Sequence, residues 1–257
     1  MSDPAPIAGD FLSLLARQRI PPLSPEARDH APVQTQATTV FAFHFADGVL
    51  MAGDRRATAG NVIVTDRIDK VLELDATSLL AIAGVPATAF EMARVLQTSF
   101  EYYRRSQLQS LSLSAKVRAL ARLLRENLPL TMQGVGVVMP LFAGVEQSAT
   151  PPEPQIYFYD PLGAQFHAVG YAASGSGAGT IRSILSYQER YGQPRPAQMD
   201  LAQAVAFALR LLITAAEFDS ATGGVNPDAH TFATIKVLRG AGIEEIDAGR
   251  QAAWLQR

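Results

Sequence analysis

The chain predicts an α+β domain built as a four-layer αββα sandwich, with two antiparallel sheets packed face to face between two layers of helices. Three observations predict it. Short apolar runs punctuated by Gly, Asn and Asp fill residues 38–85 before any helical pattern appears, which argues against a parallel βαβ start. Two helical stripes follow, then a second set of short strands. Two more helices and a closing pair of strands complete the order, so each sheet can bury one face on the other sheet and one on helices.

Residues 1–37 stand apart from the rest. They carry six of the sixteen prolines and end in the polar run Gln34-Thr35-Gln36. Only Asp10-Phe11-Leu12-Ser13-Leu14-Leu15-Ala16-Arg17 suits a short capped amphipathic helix. A disordered tail and a removable propeptide both fit this composition. Strands are expected at 38–45, 49–53, 62–65, 70–74 and 79–83, with Asp47-Gly48, Gly60-Asn61 and Asp75-Ala76 at turns. After Pro86 the period changes. Phe90, Val95, Leu96, Phe100 and Tyr103 mark one helix, and Val117, Leu120, Ala121, Leu124 and Leu128 mark a second at 113–128. Both helices are read as carrying Arg and Lys on their other faces.

Strands return at 135–145, 155–159, 165–168 and 170–173, with Asp160-Pro161-Leu162-Gly163 at a turn. Ser174-Gly175-Ser176-Gly177-Ala178-Gly179 then leads into a helix at 179–191. Another helix runs from residue 199 or 200 to Phe218. The last strands are expected at 230–238 and 242–246, with a short tail from about 247.

A net charge of −2 gives no basic footprint for nucleic acid. The absence of Cys excludes disulfides, thiolate metal sites and a Cys nucleophile, and it suits a reducing compartment. The uncharged apolar stretch 135–145 contains Pro140 and is too short to span a bilayer. Residues 1–37 lack the basic start and continuous apolar region of a secretion signal. The expectation is a cytoplasmic protein with neither membrane nor nucleic acid as partner.

Most local motifs have a plain structural reading. His30, His44, His167 and His230 form no metal spacing, and no metal is expected. Thr180 stands where a dinucleotide-binding pattern counted from Gly175 needs its third glycine, and no Gly-Lys-Ser/Thr sequence exists. Gly175 and Gly177 adjoin Ser176 directly, which is not a nucleophile elbow. A tight strand-to-helix turn accounts for that run. Taken singly, Asp54-Arg55-Arg56 and Asp69-Lys70 read as surface charge, and Asp219 to Gly224 as a helix stop with a turn. Thr38 is different, because it stands where the Pro-rich leader gives way to an alternating strand. A cut between Ala37 and Thr38 would give this threonine its own amine as general base.

Thr38-Thr39-Val40, then Gly48-Val49-Leu50-Met51-Ala52-Gly53-Asp54-Arg55-Arg56-Ala57-Thr58, then Lys70-Val71 and Ala81-Ile82-Ala83-Gly84, resemble the β-subunit of the proteasome core particle. The likeness is to the bacterial, actinobacterial type, within the N-terminal-nucleophile hydrolases, and extends from residue 38 to about 247. Asp10-Phe11-Leu12 resembles the propeptide of that branch. The resemblance implies a threonine-type endopeptidase that hydrolyses unfolded proteins inside a closed chamber and needs no cofactor. It implies Thr38 as nucleophile, Lys70 beside it and held by Asp54, and the Gly84 N–H at the developing oxyanion. Ser176, Asp219 and Thr222 would surround the terminal amine. Thr58 and Gly84 would lend backbone to an extended substrate, with Ala57 and Ile82 shaping the specificity pocket. A homo-heptameric β-ring, rings of separate α-subunits and an ATP-dependent unfoldase ring are the implied partners.

Elementary chemistry agrees with those roles. A free α-amine titrates near ~7.7–8.0 and lysine near ~10.4, so Lys70 stays charged and draws the amine's pKa toward working pH. A buried ammonium needs a counter-charge, which Asp54 supplies. Threonine's β-branch restricts χ1, so its hydroxyl needs less ordering. One oxyanion donor is worth about 2.7–4 kcal/mol. Two positions depart from the family pattern. Ala37 precedes the nucleophile where the family uses glycine, which slows self-cleavage. Pro86 lacks a donor where the family binds substrate by a backbone N–H, a loss of about 0.5–1.5 kcal/mol. A catalytically silent β-type ring subunit and a small-molecule amidase of the same superfamily are the alternatives.

Overall fold

The computed structural model describes residues 38–60, 62–225 and 231–256. The chain opens with the hairpin β1 (Thr39–Phe45) and β2 (Gly48–Gly53), followed by β3 (Ala57–Ala59), β4 (Val62–Thr65), β5 (Val71–Asp75) and β6 (Ser78–Ala81). Helices α1 (Pro86–Gln107), α2 (Leu113–Glu126) and α3 (Leu128–Met132) separate these from β7 (Leu141–Val145), β8 (Pro154–Tyr159), β9 (Gln165–Ala168) and β10 (Tyr171–Gly175). Helices α4 (Ala178–Tyr191) and α5 (Leu201–Phe218), strands β11 (Thr234–Arg239) and β12 (Gly242–Glu245), and helix α6 (Ala248–Leu255) complete the domain.

Two five-stranded antiparallel sheets result. Their orders are β10-β1-β2-β11-β12 and β5-β6-β7-β8-β9, with β3-β4 as a separate pair. The period of two along β1 makes the layers visible. Val40 and Ala42 face the second sheet, in one apolar cluster with Val71, Leu79, Ala81 and Leu141. Phe41, Phe43 and Phe45 face the other way, clustered with Ile181 and Leu185 of α4 and Val205, Leu209 and Leu212 of α5. On its outer face the second sheet packs Leu80 and Phe142 against Met92, Leu96, Leu120 and Leu124 of α1 and α2. The expected helix–sheet–sheet–helix order is the observed one.

The helix ends follow local chemistry. Pro86 sits in the first turn of α1, where its missing N–H costs no intrahelical bond. The Ser112 hydroxyl accepts the Ala115 N–H to cap α2, and Asp200 and Gln203 form a reciprocal capping box on α5. Helix α5 is long and apolar enough by composition to cross a membrane, yet Val205, Ala208, Leu209, Leu212 and Ala215 are buried in the core against the first sheet.

Several expectations need correction. Strand β3 was not foreseen, because Ala57-Thr58-Ala59 is too short to show alternation. The strand expected at 135–145 starts only at Leu141, and before it Val138 makes a single bridge to Gly84. Lys116 is not on an outward face of α2. It is buried, with its ammonium 2.6 Å from an Asp75 carboxylate oxygen and 2.7 Å from the Thr77 hydroxyl. The C-terminal segment is a helix: Asp247 caps it, and Gln251 donates from Nε2 to the Ala233 and Ile246 carbonyls. The helix expected at 10–17, the residue Ala37 and the start of the strand expected from 230 lie outside the described residues.

Candidate active site

Thr38 lies at the mouth of β1, 3% exposed, and its carbonyl accepts the Ser176 N–H at 3.0 Å. That contact depends on Gly175, the last residue of β10, which holds φ at +98°. A Cβ there would stand 1.7 Å from the Thr38 carbonyl oxygen, so only glycine lets the β10–α4 turn close over the start of β1. The glycine run is therefore the strand-to-helix turn expected, and it also packs on the first residue of the site.

Asp54, just beyond β2, is the hub. Its Oδ1 accepts the Thr39 N–H at 2.8 Å and the Lys70 ammonium at 2.6 Å. Its Oδ2 accepts the N–H groups of Arg56 at 3.0 Å and Gly223 at 2.8 Å. The pair is buried, with Asp54 and Lys70 each 1% exposed. Burial pulls the Lys70 pKa below the ordinary lysine value, and the Asp54 charge and hydrogen bond oppose that shift without cancelling it. Thr39 and Lys70 share one oxygen, so the ammonium lies two hydrogen bonds at most from the backbone that follows Thr38. Gly53 permits the approach, since a Cβ there would meet Lys70 Cβ at 3.2 Å and Val40 Cγ1 at 3.1 Å.

Lys70 is also tied to the Gly84 segment, because its carbonyl accepts the Ile82 N–H at 2.9 Å. Two hydrogen bonds flank Gly84, Val85 N–H to the Val137 carbonyl and Met139 N–H to the Ala83 carbonyl, both 2.8 Å. That is the non-hydrogen-bonded phase of an antiparallel bridge, so this pairing leaves the Gly84 N–H available. Gly84 holds φ at +108°, and a Cβ would stand 2.1 Å from the Val137 carbonyl oxygen.

The loop after α5 closes the site. Burial pushes the Asp219 carboxyl upward, but bonds from the Ser176 and Thr222 hydroxyls and the Ala221 N–H, with the Lys70 charge, hold it below the usual range. Thr222 Oγ1 donates to Asp219 Oδ2 at 2.6 Å and lies 2.5 Å from Thr39 Oγ1, which accepts the Gly177 N–H at 3.0 Å. Arg56 clasps the loop, its Nε on Asp66 at 2.9 Å and its Nη1 on the Ser220 carbonyl at 3.2 Å.

Of the residues singled out in the sequence, Thr38, Asp54, Lys70, Ser176, Asp219 and Thr222 fall into one bonded cluster, with Gly84 on the strand segment beside it. Ala57 and Thr58 lie in β3 and are buried. Ile82 is also buried, in the cluster beneath α1 and α2, and Pro86 is half-buried at the start of α1. Thr39, Arg56, Asp66, Gly177 and Gly223 were not foreseen. Adjacency to Thr38 was the one local signal for Thr39, and the others show themselves only when distant loops meet. Among the described residues no group of three or more His, Asp or Glu side chains is arranged to hold a metal.

The sandwich of two antiparallel sheets between helix layers is the fold class of the N-terminal-nucleophile hydrolases. The family model for the proteasome subunit matches residues 34–226. Three proteins named proteasome subunit beta are similar over most of the chain. That of Acidimicrobium ferrooxidans is 40% identical, covering 96% of this chain and 87% of its own. Those of Acidothermus cellulolyticus and Stackebrandtia nassauensis are each 35% identical over 92% of this chain and cover 80% and 84% of their own. The chain belongs to the proteasome subunit family, and within it to the β, peptidase type. The family is one of soluble proteins whose β-type subunits assemble in rings with α-type subunits in a core particle.

Proposed function

We propose that this chain is a catalytically competent threonine endopeptidase, formed when its own Thr38 hydroxyl removes residues 1–37. In the uncut chain the Thr38 nitrogen is an amide and cannot act as a base. The hydroxyl adds to the Ala37 carbonyl, and the acyl group passes from nitrogen to oxygen and so frees the amine. Water hydrolyses the resulting ester, releasing residues 1–37 as a carboxylate and restoring the Thr38 hydroxyl. The new amine then takes the hydroxyl proton as the oxygen attacks a peptide carbonyl. The Gly84 N–H receives the developing oxyanion, and the amine returns the proton to the leaving nitrogen. Water, activated by the same amine, hydrolyses the acyl-enzyme.

The observation that carries this reading is the shared Asp54 oxygen. It holds a buried ammonium against the backbone one residue past the nucleophile, where its positive field lowers the amine's pKa. The Ser176 N–H binds the Thr38 carbonyl and the Ser176 hydroxyl bonds to Asp219, which keeps that side of the site polar. Ala57, Thr58, Gly84 and Pro86 line the substrate path, with Ile82 beneath it. Unfolded proteins are the substrates, in a cytoplasmic chamber of homo-heptameric β-rings between α-rings, fed by an ATP-dependent unfoldase.

The test is co-production with the α-type subunit of the same source, intact-mass analysis and a fluorogenic peptide assay. Wild type should begin at Thr38 and cleave, and Thr38→Ala should keep the leader and be inert. Particles that assemble, keep residues 1–37 and do not turn over would establish a silent ring subunit instead.

A further inference from the structure

Thr39 joins the two halves of the site. Its backbone N–H rests on the Asp54 oxygen that holds Lys70, and its hydroxyl, on a residue 0% exposed, reaches the Asp219 half. The direction of that second link follows from the donors available. A carboxylate only accepts, so Thr222 spends its single hydroxyl proton on Asp219. The Thr222 oxygen then accepts from Thr39, and Thr39 in turn accepts the Gly177 N–H. The chain therefore runs one way, from Gly177 N–H through Thr39 and Thr222 to Asp219. Gly177, Thr39 and Thr222 are all buried, so no solvent molecule substitutes for a missing link. Gly177 is fitted to this contact: a Cβ there would meet Thr39 Oγ1 at 2.8 Å and Thr222 Oγ1 at 2.7 Å.

We infer that Thr39 is a positioning residue for the reaction, its hydroxyl holding Thr222 in place on Asp219, the carboxylate that also binds Ser176, while its amide fixes the Asp54–Lys70 pair. The inference rests on the peptidase reading above. The nearly isosteric Thr39→Val removes the hydroxyl and keeps the backbone bond to Asp54. It leaves the Gly177 N–H without an acceptor and the Thr222 oxygen without a donor.

The test uses assembled particles with turnover counted per site labelled by a threonine-directed electrophile. Thr39→Val should lower kcat by about 10- to 100-fold, the size expected for loss of a buried hydrogen bond, with KM for the peptide within about twofold. Thr39→Ser should restore most of the turnover. Thr39→Ala serves if Thr39→Val does not assemble, since the same split between kcat and KM is expected of it. An active wild type with an unaltered Thr39→Val overturns this inference alone. So does a Thr39→Ser variant as slow as Thr39→Val, which would assign the effect to methyl packing. A wild type that neither labels at Thr38 nor turns over would overturn the peptidase reading and this inference with it.

Discussion

Asp54 receives four N–H donors on two oxygens, so the charge-neutral Asp54→Asn cannot satisfy them all. Whichever way its amide turns, two donors lose their acceptor, and Lys70 keeps a buried charge without a counter-ion. Breaking one side of such a pair costs about 3–5 kcal/mol. Asp54→Asn should therefore lower the melting temperature of the subunit as well as its turnover. Lys70→Met, which removes both charge and donor, should reduce kcat by about 10²–10⁴-fold, the range of one positioned acid–base group. The pH profile carries a sign. Burial places the Lys70 pKa below the ordinary lysine value, so the ammonium is lost at a lower pH than for an exposed lysine. The alkaline limb of kcat should accordingly fall below the usual lysine range, and a limb at or above it would contradict the role given to Lys70. At this scale the sequence was legible where chemistry is local. Thr38 stood out from its own surroundings, at the end of the Pro-rich leader, and Asp54 and Lys70 read as surface charge until the family resemblance gave them roles. The link from Thr39 to Thr222, by contrast, joins positions 183 residues apart and leaves no local trace.

Strands and helices were read correctly where period and turn chemistry agree, as in the β1–β2 hairpin and α5 with its Asp200–Gln203 box. They were misread where three-dimensional partners override pattern. Gly134, Gly136 and Pro140 interrupt the run before β7, so an apolar stretch that looks like one strand supplies only its last five residues. Lys116 looks like a surface residue on α2 until Asp75, Thr77 and the Phe100 ring are seen around it. Burial raises the Asp75 carboxyl, and bonds from Lys116, Ser78 and Thr77 outweigh it to leave the pKa below the ordinary value. A depressed folded-state pKa gives stability that is present above the unfolded value of about 3.9 and lost as pH falls through the folded one. Thermal melts should show that acid loss, and Lys116→Met should reduce it. Gly175→Ala is the sharpest element-scale change, since the new Cβ would overlap the Thr38 carbonyl at a φ that alanine adopts only under strain. It should cost about 1–3 kcal/mol in stability and abolish turnover, as the β10–α4 turn withdraws from Thr38.

On the scale of the whole molecule, the four layers serve one end. The first sheet carries Thr38 just before β1 and Asp54 just past β2, and the second carries Lys70 before β5 and Gly84 after β6. The inter-sheet cluster of Val40, Met51, Val71, Leu79 and Ala81 locks these edges in register, so the candidate site groups are held by packed strands rather than by free loops. The layer order was legible because each sheet needs two apolar faces. Which strand edges meet was not, because that is settled by long-range packing between sheets. The central claim is that the amine and alcohol of Thr38 act as one unit in the assembled particle. It is tested most directly by treating that particle with a peptide electrophile that closes a ring only on a 1,2-amino alcohol, then mapping the adduct by mass spectrometry. The account predicts a single adduct on a peptide that begins at Thr38, with peptidase activity lost in proportion. An active particle whose chains retain residues 1–37, or an adduct on any other residue, would contradict it.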